Sequence, residues 1–306
     1  MIVIVCPGQG SQKPGFLEPW LERPGARELL SSLGDACGVD LITHGTVSDA
    51  DTIRDTAIAQ PLIVAAGILS LSALSEDGPL SDAHGIAGHS VGEFTAAAGA
   101  GVLEATDAVA LVGIRGRAMA EAAARVATGM SAVIGGDEAE IASALSAHGL
   151  VAANYNGGGQ LVVAGELSAL AAFAETPPAG SRVIPLQVAG AFHTSFMESA
   201  VETLRDAASS VTTHDPLRPL WTNRDGSVIT DGATFRDLLV GQVSSPVRWD
   251  KCMSAFEQSG VTGIIELSPA GALVGLAKRG LKGVPTVGIT SPDDLPAARE
   301  LLATVK

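Results

Sequence analysis

The chain has 306 residues, 46% hydrophobic and 17% charged, with a formal net charge of −14 at pH 7. That length carries one large domain, or a large and a small one, each with its own core, and the apolar fraction excludes a disordered chain. The negative balance excludes a protein that wraps nucleic acid and a polybasic membrane-surface binder, because both need a basic footprint.

The first residues, Met1 to Gly10, hold a short apolar run with no basic residue before it. Residues 2–5 therefore read as a first strand and not as a secretory signal. No run of about 18 apolar residues predicts a membrane span. Cys6, Cys37 and Cys252 stand at wide spacing without a CxxC pair. That fits a reducing cytoplasm and neither a disulfide framework nor a zinc site. Gln60-Pro61 opens a predicted helix with Pro in its first turn, running to Leu74. Residues 84–89 are a predicted strand and 92–101 a predicted helix. Thr106 is the expected N-cap of a helix over 107–126. This alternation predicts a parallel sheet with helices on both faces.

The middle of the chain changes pattern. Residues 130–135, 151–156, 161–165 and 182–188 read as strands, and 137–148 and 167–175 as helices. The order β-α-β-β-α-β is ferredoxin-like. It predicts a small unit, 128–192, inserted into a large α/β domain made of 1–127 and 193–306. The larger pattern then resumes, with predicted helices at 195–209, 234–240, 247–259 and 272–281. Predicted strands follow at 217–222, 262–267 and 285–289.

The sharpest local signal is Gly88-His89-Ser90-Val91-Gly92, a G-x-S-x-G turn between a predicted strand and a predicted helix. Such a turn lifts a serine hydroxyl to the top of a sheet and aims the N–H of the next residue, Val91, at a developing oxyanion. A serine nucleophile needs a base. Among His44, His84, His89, His148, His193 and His214, the favoured one is His193, which follows an apolar segment where the small unit returns to the large one. His89 sits inside the turn and reads as a buttress. Arg115 is the one charge in a stripe of Ala108, Leu111, Val112, Ala118, Met119 and Ala122. Such an arginine either pairs with an internal acid or waits for a ligand carboxylate, and spacing alone leaves the two even. The loop Pro7-Gly8-Gln9-Gly10-Ser11-Gln12 lacks nucleotide-binding spacing, and its backbone could supply a second oxyanion donor. No motif predicts a metal.

Together these motifs resemble the malonyl-CoA:acyl carrier protein transacylases, the acyltransferases of type II fatty acid or polyketide synthesis. The resemblance also runs through Gln60-Pro61, Arg115-Gly116, Asn154-Tyr155-Asn156 with Gln160, and Gly190-Ala191-Phe192-His193. It continues through Ser245-Pro246-Val247-Arg248-Trp249 and Glu266-Leu267-Ser268-Pro269, so it covers nearly the whole chain. It implies a hydrolase-like α/β core with an inserted ferredoxin-like subdomain. It implies Ser90 as nucleophile, His193 as base oriented by the Gln242 carbonyl, and an oxyanion hole from the N–H groups of Gln9 and Val91. Arg115 would bind the malonyl carboxylate. Phe192 beside the base and Val91 after the nucleophile go with malonyl rather than methylmalonyl, because an aromatic ring crowds the space of an α-methyl. Asn154 and Asn156 are weaker substrate-site candidates. Ser245 departs from the family, which usually has Asn there.

The implied partners are an acyl carrier protein and a coenzyme A thioester, with no permanent cofactor, no metal, no nucleic acid and no membrane. A monomeric cytoplasmic enzyme is expected. The competing readings are a serine esterase or thioesterase, which would draw on Asp107 or Asp137 for a triad, and a non-catalytic scaffold subunit. Acyl carrier proteins are acidic, so any steering must be local. Lys278, Arg279 and Lys282, with Arg248 and Lys251, are the candidate patch; the alternative is a helix C-terminus with its ordinary cations.

Overall fold

The computed structural model describes residues 1–76, 80 and 84–305; residues 77–79, 81–83 and 306 of the expected large unit lie outside that description. In chain order the strands are β1 (Ile2–Cys6), β2 (Gly85–Gly88), β3 (Thr128–Gly135), β4 (Val151–Gly157), β5 (Gln160–Glu166), β6 (Ser181–Pro185), β7 (Leu220–Trp221), β8 (Val228–Ile229), β9 (Gly263–Glu266) and β10 (Thr286–Gly288). The helices are α1 (Ala26–Cys37), α2 (Leu41–Thr46), α3 (Thr56–Leu74), α4 (Gly92–Gly99), α5 (Ala105–Ala123), α6 (Glu138–His148), α7 (Leu167–Glu175), α8 (Glu198–Ala208), α9 (Gly232–Gly241), α10 (Trp249–Gln258), α11 (Ala272–Gly280) and α12 (Leu295–Leu302).

The larger sheet runs β10-β9-β1-β2-β7-β8. All its pairs are parallel except β7 with β8. β1 lies inside it and is buried at all five positions, which is why its sequence is an unbroken apolar run rather than an alternation. The second sheet, β4-β5-β3-β6, is antiparallel throughout. It has its own core of Val133, Ile141, Leu145, Leu150, Val163, Leu170 and Phe173, shared with α6 and α7. The fold is an α/β core with a mainly parallel sheet and an inserted ferredoxin-like unit.

The structure corrects several expected boundaries. α3 begins at Thr56, four residues before Gln60, because the Asp55 side chain accepts the Ala57 N–H and caps the helix there. Pro61 consequently lies inside the helix, where it cannot bond the Ala57 carbonyl. Gly116 of α5 packs against this turn. A Cβ on it would lie 2.9 Å from the Thr56 carbonyl oxygen, so a side chain there would push α5 off α3. α3 is apolar on every side, and its length and composition would suit a membrane span. Most of it is buried in the protein core instead.

Thr106 is not the N-cap of α5. The helix starts at Ala105, Glu104 holds the cap position in extended backbone, and no side chain caps it. The helix expected at 195–209 is a 3-10 turn, Ser195–Met197, followed by α8. The strand expected at 182–188 ends at Pro185, which frees residues 186–192 to enter the cleft described below. α1, α2 and α12 were not anticipated from sequence.

Candidate active site

β2 delivers the chain to a turn that has room for no side chain at either glycine. A Cβ on Gly88 would lie 2.1 Å from the Gly92 carbonyl carbon, and one on Gly92 would lie 2.2 Å from the Cys6 oxygen. Between them Ser90 takes φ of 53°, a left-handed conformation that costs energy for a residue with a Cβ. Asn223 holds it there. Its Oδ1 accepts the Ser90 N–H at 2.7 Å, and its Nδ2 donates to the Gly88 carbonyl at 2.6 Å.

His193 is also left-handed, at φ 62°. Its Nε2 lies 2.7 Å from Ser90 Oγ, and its Nδ1 lies 2.9 Å from the Gln242 carbonyl oxygen. A carbonyl only accepts, so Nδ1 carries the proton and Nε2 offers its lone pair to the serine hydroxyl. The same carbonyl accepts the Ser245 N–H at 3.2 Å, so residue 245 supports His193 through its backbone. Among the described residues no carboxylate contacts the imidazole. Asp137 instead caps α6 and Asp107 sits in the first turn of α5, so a Ser-His-acid triad does not form. Burial and the nearby Arg115 charge push His193 down to about 3. A base with its pKa so depressed stays neutral until the pH falls close to that value. The ring nitrogens of His193 are therefore expected to keep the neutral Nδ1–H pattern by nitrogen-15 NMR down to about pH 5. Titration near the ordinary histidine value would contradict this environment.

Arg115 is 1% exposed, and every apolar member of its stripe is buried with it. It has no acidic partner within ion-pair distance among the described residues. Nη1 donates to Gln60 Oε1 at 2.6 Å and Nη2 to Gln242 Oε1 at 2.8 Å. Nη2 also lies 3.5 Å from Ser90 Oγ, and Nε has no partner. Of the two readings left even by spacing, the internal salt bridge is the one the structure does not make. A buried cation held only by neutral amides can still gain from an anion.

These three residues share a cleft with Gln9, Val91, Met119, Met130, Asn154, Val162, Leu186, Val188 and Phe192. The N–H groups of Gln9 and Val91 bond to no acceptor among the described residues. Asn154 Oδ1 and Gln9 Oε1 are buried without a partner. Asn156 stands one layer back, with its Oδ1 on His89 Nε2 at 2.9 Å and its Nδ2 on Gln160. His89 meets Trp249 edge-on.

The acyl transferase domain family matches residues 3–296. The malonyl CoA-acyl carrier protein transacylase of Mycobacterium tuberculosis strain H37Rv is 50% identical over 296 residues, 96% of this chain and 98% of that protein. This chain belongs to the malonyl CoA-acyl carrier protein transacylase family. The crystal structure of MCAT from Mycobacterium tuberculosis superposes with a TM-score of 0.95 at 49% identity, covering 98% of this chain and 99% of the other. A malonyl-transacylase solved in complex with a type II PKS acyl-carrier protein gives 0.92 at 28% identity, covering 98% and 99%.

In this transacylase-family site, sequence reasoning missed three residues. Gln60 was seen as part of a motif but not as the partner of Arg115. Glu93 and Asn223 were given no role, yet both are buried beneath Ser90. The signal was available for Gln60 and Glu93, since each is a large polar side chain among mostly small or apolar helix neighbours, as Arg115 is within its stripe. Asn223 lies in a turn and carries no such mark. Glu266, another residue of the family-like motifs, is structural: its carboxylate accepts the N–H groups of Gly271, Leu273 and Val274 and caps α11.

Proposed function

We propose that this chain transfers a malonyl group from malonyl-CoA to the phosphopantetheine thiol of an acyl carrier protein through a malonyl-serine ester. The observation that carries the reading is the position of Ser90 Oγ, 2.7 Å from His193 Nε2 and 3.5 Å from Arg115 Nη2. One methylene separates the carboxylate of a malonyl group from its thioester carbon. A guanidinium this close to the nucleophile suits that short diacid.

His193 Nε2 takes the Ser90 proton as Oγ attacks the thioester carbon. The carbonyl oxygen becomes an oxyanion that the Gln9 and Val91 N–H groups stabilise. The C–S bond then breaks, and coenzyme A leaves with the proton from His193. In the second half the carrier thiol gives its proton to His193 and attacks the ester, and Ser90 recovers the proton as it departs. Arg115 holds the malonyl carboxylate throughout and fixes the thioester against Oγ. Phe192 and Val91 wall the acyl pocket. The Ser/His/Arg set is complete within one chain, which supports a monomeric catalyst. Three free buried cysteines suit the reducing cytoplasm in which we place the reaction.

The test is incubation with malonyl-CoA labelled in the malonyl group, followed by addition of holo carrier protein. Label bound covalently to the protein and then released to the carrier supports the reading, and label that never attaches overturns it. For docking, Lys278 and Arg279 end α11 in the exposed position expected of a local basic patch. Arg279 packs against the Gly158 turn of the inserted unit, at the seam between the two sheets. Arg248 is already paired with Asp250, which leaves the α11 end as the better candidate. Reversing Lys278 and Arg279 to Glu is expected to raise the carrier-protein KM about tenfold, more at low salt. An unchanged KM moves the docking surface elsewhere.

A further inference from the structure

We propose that Glu93 is a positioning residue: its carboxylate sets, through Gln242 and Asn223, where the Arg115 guanidinium and the Ser90 backbone stand relative to each other. The inference rests on the reading that Ser90, His193 and Arg115 carry the transfer. Glu93 is 1% exposed and touches neither Ser90 Oγ nor the His193 ring, so the mechanism above gives it no task.

Its two oxygens are used separately. Oε1 accepts the Asn223 N–H at 2.7 Å, and Oε2 accepts from Gln242 Nε2. Asn223 is the residue that holds the Ser90 N–H and the Gly88 carbonyl. Gln242 spends its second Nε2 hydrogen on the Ser90 carbonyl oxygen at 2.9 Å and turns Oε1 to Arg115. An ionised carboxylate only accepts hydrogen bonds. Ionised, Glu93 therefore acts with the Ser90 carbonyl and the Arg115 guanidinium to hold the Gln242 amide with nitrogen inward and oxygen on the guanidinium. The backbone oxygen of that same Gln242 holds His193. One buried acid thus connects the nucleophile, the base and the clamp. Burial raises Glu93 to about 7, while the hydrogen bonds from Asn223 and Gln242 and the Arg115 charge favour its ionised form.

An amide at position 93 keeps the shape but can accept with only one of its two ends. If its NH2 meets Gln242, that side chain must turn over and set NH2 against the Arg115 guanidinium. If its NH2 meets the Asn223 N–H, the support under Ser90 is lost. Glu93→Gln is accordingly expected to lower kcat/KM for malonyl-CoA by about 10- to 100-fold, the cost of one charge-assisted hydrogen bond. Gln242→Met, which keeps the backbone carbonyl and removes the amide, is expected to raise the malonyl-CoA KM. In the double variant the two losses are expected to overlap, because they cut the same connection.

Three outcomes overturn the proposal: Glu93→Gln folded by circular dichroism with kcat/KM within about twofold of the parent, losses that simply add, or Gln242→Met with a parental malonyl-CoA KM. The Gln242 result decides if Glu93→Gln does not fold. A protein in which Ser90→Ala still transfers malonyl refutes the underlying reading. A dead Ser90→Ala beside a fully active Glu93→Gln refutes only the role of Glu93.

Discussion

Ser90→Ala is expected to lower malonyl transfer by roughly 10⁴- to 10⁶-fold in kcat and to abolish covalent labelling of the protein by malonyl-CoA. The size of the loss follows from the geometry. The hydroxyl stands 2.7 Å from the imidazole nitrogen that offers its lone pair, in a cleft that Gln9 and Val91 also line. Removing it leaves the donors, the clamp and the base in place but takes away the atom that forms the ester. What remains is binding and electrostatic stabilisation acting on water or on the carrier thiol directly. The variant is expected to fold with the same turn, since alanine and serine meet a similar cost in the left-handed backbone. Parental transfer rates in a folded Ser90→Ala protein would rule out the ester mechanism. A folded, unlabelled and inactive variant is the expected result.

Arg115→Ala is expected to separate substrates by charge. For malonyl-CoA, kcat/KM should fall roughly 10²- to 10³-fold, the scale of truncating one partner of a buried hydrogen-bonded charge pair. For acetyl-CoA the same substitution should leave the rate unchanged or raise it. In the parent protein a neutral acyl group would occupy the cleft beside a buried cation that it cannot satisfy, and that cost disappears with the guanidinium. Gln60 and Gln242 lose their common partner in the variant, but both are neutral and can turn to water entering the space. The measurement is the ratio of the two kcat/KM values. Equal losses for malonyl and acetyl would mean that Arg115 supports the structure of the cleft and does not read the carboxylate.

The large features of this molecule were legible in its sequence for identifiable reasons. The buried strand at the N-terminus has no alternation because it is covered on both faces. The G-x-S-x-G turn needs glycine where a Cβ would strike backbone. The six-element insert repeats helix and strand patterns in one recognisable order. Arg115 stood out because a charge in an apolar stripe must be answered by something. What could not be read was spatial. Gln60 and Gln242 lie 55 and 127 residues from Arg115, and nothing in their local sequence says that they meet it. Helix starts were missed where the cap lay outside the apolar pattern, as with Asp55 ahead of α3, or where no side chain caps at all, as with Glu104 ahead of α5. α1 escaped notice although its buried positions, Ala26, Leu30, Leu33 and Cys37, are helically spaced, because neither end carries a side-chain cap.

Val91 and Met119 apart, the apolar wall of the cleft comes from a different stretch of chain than Ser90 and Arg115. Ser90, Arg115, Gln242, Gln9 and Val91 lie in the stretches of chain that build the large sheet and its surrounding helices and turns. Met130, Asn154 and Val162 come from the inserted unit, and Leu186, Val188 and Phe192 from the segment that leads out of it. His193, the proposed base, directly follows that segment. A lineage can therefore alter what fits by revising one contiguous block, and keep intact the machinery that makes and breaks the bond. Exchanging that block between relatives would change the part of the wall it supplies, while Arg115 and the Val91 side of the cleft stay with the rest of the chain.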